Sequence, residues 1–154
     1  MTDYGADAVV AARDVPRFDC AVQIGVASSR VIAVSFPDSV PEDATRDHPV
    51  LDRIERYADG AEESFTDVSV AFTVPGDHRA VLEAVREIPY GRTVDPGTLA
   101  RTAAGVDGDD GETVRAALDA NPAPLLVPDH RVRGVRGATP TRIAAVCREI
   151  EGVD

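Results

Sequence analysis

Asn121-Pro-Ala-Pro-Leu-Leu-Val-Pro-Asp-His-Arg-Val132 is the stretch on which the reading of this chain turns. Prolines at 122, 124 and 128 remove backbone donors and bias the residues before them toward extended conformations. The segment is therefore held out of a helix around a short apolar run. It ends by delivering a carboxylate, an imidazole and a guanidinium on consecutive residues, Asp129, His130 and Arg131.

Downstream, Arg142-Ile-Ala-Ala-Val-Cys-Arg-Glu-Ile150 carries apolar residues at 143, 146, 147 and 150, the spacing of a buried helix face. Cys147 on that face is a core thiol. With Cys20 it makes two lone cysteines, without Cys-x-x-Cys spacing or an adjacent His, which argues against a disulfide scaffold or a structural zinc site. An Asp129–His130 metal site lacks a third ligand nearby, so no metal or other cofactor is expected. His48 and His78 stand alone in polar segments and read as surface residues. An Asp-His-Glu hydrolase has no Ser, Thr or Cys nucleophile beside His130 to support it.

Upstream, the pattern is helical back to Asp77. Val81, Leu82, Val85 and Ile88 fit one helix face, ended by Pro89-Tyr-Gly91. Asp95 is an N-cap with Pro96 at the first helical position, and Gly105 supplies a left-handed stop. A polar turn over 106–111 leads to a further helix from Glu112 to Ala120, which makes a helix-turn-helix pattern.

Before Pro75 the period changes. Cys20–Val26 and Val31–Phe36 are β-branched runs joined by Ala27-Ser-Ser-Arg30, a hairpin; a helix opens at Pro49 and closes at Gly60; a third strand is expected over Val68–Val74. Residues 1 to about 17 show no clear period and are expected to be loosely held. The chain is thus expected to be α+β, with a small sheet lobe over 18–75 and a helical, winged-helix-like lobe over 76–154.

At 154 residues and 44% hydrophobic the chain supports one good-sized core or two small lobes. It has no apolar run of membrane-spanning length and no signal-peptide pattern, which points to a cytoplasmic protein that does not engage membranes. Its net charge of -11 comes from eighteen Asp and nine Glu against sixteen Arg, with no Lys. Such a surface suits a cytosol of very high salt, where repulsion among carboxylates is screened. The competing reading is an acidic face for a basic partner.

The 121–132 segment resembles the active-site stretch of the O6-alkylguanine-DNA alkyltransferases, in which Asn-Pro, a short apolar run and Pro-Cys-His-Arg-Val follow in the same order. Ile88-Pro-Tyr-Gly91 with Thr93 resembles the Ile-Pro-Tyr-Gly-x-Thr turn of that family, and Leu99-Ala100 its Leu-Ala. The likeness runs from about Val74 to the C-terminus. It implies a flipped guanine whose alkyl carbon is attacked by a Cys thiolate, with His as base through water, a C-terminal Glu orienting the His, and Asn bracing the backbone. On this resemblance Asp129 stands where the thiol belongs, and Asn121, His130 and Glu149 form a vestigial framework around it.

The departures go further. The Tyr of the family's Ser-Tyr-Gly is Pro96, its arginine finger falls near Glu112 with Arg115 one turn on, and its Gly-rich pocket loop is shortened to Arg133-Gly-Val-Arg-Gly-Ala-Thr139. A carboxylate is a far weaker nucleophile toward an alkyl carbon than an activated thiolate. The expected activity is therefore none, in contrast to a cysteine S-methyltransferase. The non-catalytic alkyltransferase-like proteins, with Trp at the Cys position, keep the finger that this chain lacks.

Double-stranded DNA remains the expected partner, bound weakly or by shape, with Thr93, Arg115, Arg131, Arg133 and Arg136 as contacts. Asp107, Asp109, Asp110, Glu112 and Asp119 oppose it. A tenfold rise in salt lowers affinity by about five decades for a protein making about six phosphate contacts. The alternative is a degenerate member of that family, a module that binds a protein or small ligand and no DNA; a monomer is expected on either reading.

Overall fold

A computed structural model describes residues 9–103 and 111–153. Three antiparallel strands, β1 (Val9–Val15), β2 (Cys20–Ala27) and β3 (Arg30–Ser35), form a sheet in that order. Five helices follow: α1 (Pro49–Ala58), α2 (Gly76–Arg86), α3 (Pro96–Thr102), α4 (Gly111–Asp119) and α5 (Thr141–Glu151). The class is α+β. No helix among the described residues is long and apolar enough to cross a membrane.

β1 corrects the expectation of a loosely held start from Val9 onward, while residues 1–8 lie outside the described residues. Its Ala, Arg and Asp residues dilute the local β signal, but pairing from Val9↔Val26 to Val15↔Cys20 recruits the segment into the sheet. The connection is a short 3₁₀ turn, Pro16–Phe18, closed by Asp19 in the left-handed region at φ 55°. The β2–β3 hairpin is as expected: Ser28 and Ser29 both take positive φ, 51° and 64°, the backbone of a type I′ turn whose twist matches the strands.

The strand expected over Val68–Val74 is not formed. Val31 N donates to Ser69 O and Ala71 N to Val31 O, giving one isolated bridge, Val31↔Val70. The Arg86 guanidinium competes for this backbone, donating to the Phe65 and Val68 carbonyls at 2.6 and 2.7 Å. A side chain has taken an acceptor that a sheet ladder would use.

Helix starts follow their caps. His48 Nδ1 accepts from Val50 N at 3.1 Å ahead of Pro49, so this histidine is an N-cap as well as a polar-segment residue. Asp95 Oδ1 accepts from Thr98 N at 2.7 Å ahead of Pro96. α4 begins at Gly111, one residue before the expected Glu112. The Gly105 stop and the turn before Gly111 lie outside the described residues.

The core is continuous through the sheet, α1, α2, α3, α4 and the 121–132 segment. Ile24, Ile54, Tyr57, Leu82, Leu99, Leu118 and Leu126 are all fully buried within it. Val34 N donates to Pro122 O at 2.8 Å, fastening the segment to β3, and Arg142 donates to the Phe18 carbonyl, fastening α5 to the turn between β1 and β2. The site residues are therefore carried on a surface that both halves of the chain help to build.

Candidate functional site

The Pro-rich segment reaches its site through a turn that Asn121 writes. Asn121 Oδ1 accepts from Ala123 N at 3.0 Å, while Nδ2 donates to Val127 O at 2.9 Å and to Asp129 Oδ2 at 3.0 Å. With prolines denying the backbone its own donors, this amide supplies the missing cross-links. Leu125, at φ 79°, makes the reversal within the loop. Asp129, His130 and Arg131 then form a single 3₁₀ turn, and each is 2% exposed.

Asp129 faces the chain rather than solvent. Its Oδ2 accepts from Asn121 Nδ2, from Ala138 N at 3.0 Å and from Thr139 N at 3.2 Å. The carboxylate thereby clamps the stretch leading into α5 against the Asn121 turn. Gly137 lies flat on it: a Cβ there would sit 2.5 Å from Asp129 Cγ.

His130 and Arg131 turn the other way, onto Glu151. His130 Nε2 lies 2.6 Å from Glu151 Oε2, and Arg131 Nε donates to Oε1 at 2.8 Å. Tyr57 OH donates to Oε2 at 2.5 Å and Gly91 N to Oε1 at 3.0 Å. Arg131 also donates to the Ile88 carbonyl at 2.8 Å. Burial pushes the Glu151 carboxyl up, but the hydrogen bonds from His130, Arg131 and Tyr57 outweigh it and hold the group at about 2. An anion with this many donors is a joint between α1, α5, the Pro89–Gly91 turn and the Asp129 turn. Cys147, packed nearby, is pushed up to about 12 by burial, the behaviour of a core thiol.

The 39% identity over 90 residues to the methylated-DNA–protein-cysteine methyltransferase of Methanopyrus kandleri covers 58% of this chain and 66% of that protein. The model of the 6-O-methylguanine DNA methyltransferase DNA-binding domain matches residues 77–150, which include the whole Asn121–Val132 stretch. The chain belongs to the O6-alkylguanine-DNA alkyltransferase family. A second relative of this alkyltransferase-family chain, the DNA base-flipping protein of Thermus thermophilus, is 40% identical over 84 residues, 54% of either chain. The chain thus aligns with less than two thirds of the length of these two relatives. In fold it is similar to the O6-methylguanine methyltransferase of Mycobacterium tuberculosis, with TM-score 0.74 and 21% identity over 94% of this chain and 92% of that one. A crystal structure of OGT from the same organism in complex with DNA gives TM-score 0.71 at 22% identity, over 93% and 92%.

Two residue assignments from the sequence need correction within this family frame. Glu149 does not orient His130. Its side chain is 76% exposed and pairs with Arg17 at 3.0 Å, and Glu151 makes the contact instead. The reason is helical phase: the inward face of α5 is Ile143, Ala144, Cys147 and Glu151, and a residue two positions earlier points to the opposite side. Arg131, expected at DNA, is buried against Glu151 and Ile88 and has no guanidinium to offer a phosphate.

The other residues expected at DNA lie at the surface. Arg115, Arg133 and Arg136 are exposed and Thr93 is half-buried. The parallel Val94↔Val132 bridge sets Thr93 beside Arg131 and Asp95 beside Arg133. On α4, Glu112, Ala116 and Asp119 are exposed along with Arg115, so the outward face mixes both charges. Sequence reading missed Tyr57, Thr139 and Glu151. Only the α5 register, counted from its apolar face, carried a signal for the last. Among the described residues no group of three or more His, Cys, Asp or Glu is placed to hold a metal.

Proposed function

We propose that this chain is a non-catalytic alkyltransferase-like protein of DNA-repair type, binding double-stranded DNA or alkylated guanine without methyl transfer. The observation that carries the reading is the state of Asp129, which stands between Pro128 and His130 where the family's thiol is expected. Its Oδ2 already accepts three N–H donors. A hard carboxylate so engaged is a poor nucleophile toward an alkyl carbon. A structural neighbour described with DNA, and a relative named for base flipping, support DNA as the partner.

On this reading Thr93, Arg115, Arg133 and Arg136 contact the duplex, and Arg131 is withdrawn from that set. Glu112 and Asp119 beside Arg115 make the attraction weak and dependent on shape. The protein acts as a cytoplasmic monomer, with its lobes meeting near Pro75–Gly76. The test is fluorescence anisotropy in molar KCl with O6-methylguanine duplex and plain duplex: saturable binding is expected, and flat titrations with both reject the DNA reading. Intact mass after incubation with methylated duplex should show no gain of a methylene unit. A stoichiometric gain rejects the non-catalytic reading.

The second reading, a small-ligand module without DNA binding, is favoured by one observation. The cavity beside Asp129 is lined by His130 and Thr139 among others, and each of these two carries a buried side-chain atom, Nδ1 and Oγ1, without a hydrogen-bond partner among the described residues.

A further inference from the structure

Arg86 of α2 is a half-buried cation that no carboxylate among the described residues contacts. Its Nη2 donates to the neutral Phe65 and Val68 carbonyls at 2.6 and 2.7 Å, and its Nε is sealed in the protein without a partner. Nη1 makes no hydrogen bond among the described residues and is not sealed. Burial pulls the guanidinium pKa down, and the more distant charges of Asp67 and Glu83 offset this only in part. A charge held this way is costly until an anion meets it.

Arg86 lines a cavity of about 380 Å³ between α2, the 66–72 segment and the start of β3, within the size range of small-molecule sites. The charge that this cavity offers depends on which groups are already engaged. Asp67 accepts from Arg53 Nη1 and Nη2 at 3.0 and 2.9 Å, through Oδ2 and Oδ1. Glu83 lies 3.6 Å from Arg79 Nε on the same helix. Arg30, at the first position of β3, is exposed and has no ion-pair partner among the described residues. Among those residues the cavity therefore keeps two uncommitted guanidinium groups, Arg30 and Arg86, against one exposed carboxylate, Glu87. Val68, Val70 and Phe72 give it an apolar wall.

We infer that this cavity binds a phosphate monoester, its phosphate bridging Arg30 and Arg86 Nη1 and its organic part lying on Val68, Val70 and Phe72. Guanidinium N–H groups match phosphate oxygens in geometry, and the bonds are charge-assisted. A phosphate supplies the anion that Arg86 lacks and leaves its two carbonyl bonds in place, because those use Nη2. A cavity of this volume has room for more than a phosphate group, and its apolar wall favours an ester over the inorganic ion. Glu87 on the rim opposes a second anionic group, which favours a monoester over a polyphosphate. The site shares no lining residue with the cavity beside Asp129 and does not rest on the DNA reading. The ester is either free or the 5′-terminal phosphate of a DNA strand.

The test titrates the full chain with phenyl phosphate at constant ionic strength, with inorganic phosphate and phenol as comparisons. The Nε–H of Arg86 is the reporter in ¹⁵N NMR, since its burial slows exchange with water. That resonance should move saturably with phenyl phosphate, at least about threefold more tightly than with inorganic phosphate, and stay in place with phenol. Arg30→Gln, at an exposed position, should keep the thermal transition and weaken phenyl phosphate at least about fivefold. Arg101→Gln, on α3, should leave that affinity unchanged. A parallel arm uses duplexes with 5′-phosphate or 5′-hydroxyl ends. A shift with the phosphorylated duplex alone supports the inference and identifies DNA ends as the source; two silent duplexes beside a responding phenyl phosphate identify a free ester. Four results overturn the inference: an Arg86 resonance that phenyl phosphate does not move, parity with inorganic phosphate or phenol, an Arg30→Gln affinity that is unchanged or matched by Arg101→Gln, and equal shifts from both duplexes.

Discussion

Replacing Asp129 with Ala tests whether this residue has become part of the framework. The change removes one oxygen that accepts from Asn121 Nδ2, Ala138 N and Thr139 N, at 3.0, 3.0 and 3.2 Å. Each donor left unsatisfied in a buried setting costs about 1–3 kcal/mol. Asn121 Nδ2 keeps its bond to the Val127 carbonyl, and the adjoining cavity admits water to the two amides, so the cost falls well short of three full penalties. We expect a loss of about 3–4 kcal/mol, a large fraction of the roughly 5–15 kcal/mol that holds a typical domain folded. The assay is equilibrium urea unfolding followed by circular dichroism at fixed high salt, with wild type and Asp129→Ala sharing one m value. Asp129→Asn keeps one carbonyl acceptor and should recover part of the loss. An Asp129→Ala change below about 1 kcal/mol would refute the claim that the carboxylate organises this turn.

Three further outcomes follow from the same geometry. Glu151→Gln strips the charge from a joint in which Arg131 is buried, and should cost about 3–5 kcal/mol, whereas Glu149→Ala, at an exposed pair, should stay within about 0.5 kcal/mol; equal effects would restore Glu149 as the His130 partner. Because Glu151 is held at about 2 against an ordinary value near 4.5, its contribution is complete above the unfolded value and is lost as pH falls through the folded one. Wild type should therefore lose on the order of 3 kcal/mol more than Glu151→Gln between pH 5 and 2, read by urea midpoints, and parallel curves would contradict the assignment. Gly137→Ala should cost about 1–3 kcal/mol, since its new Cβ would meet the Asp129 side chain at 2.5–2.8 Å. In the Asp129→Ala background that cost should shrink, and strict additivity would show that the two residues do not press on each other.

The legible parts of this molecule were those with local chemistry. Pro49 marked the start of α1, and Asp95 with Pro96 that of α3, because these side chains act within three residues of themselves. The 121–132 stretch announced its site because its prolines and Asn121 shape the same loop they belong to. β1 was not legible, since Val9–Val15 is a strand only by virtue of pairing with β2. The expected strand over Val68–Val74 failed for the opposite reason, its carbonyl at Val68 being met by Arg86 from eighteen residues away.

The site divides along the same line. Sequence by itself determined that a carboxylate, an imidazole and a guanidinium arrive together at residues 129–131, at the end of a segment that prolines hold out of a helix. Only the tertiary structure decided where each one points. Asp129 turned toward Ala138 and Thr139, His130 and Arg131 toward Glu151, and the choice of Glu151 over Glu149 came from the phase of α5 against the core. Contacts between residues 20 to 94 positions apart depend on how helices and sheet pack, and no local spacing encodes that packing.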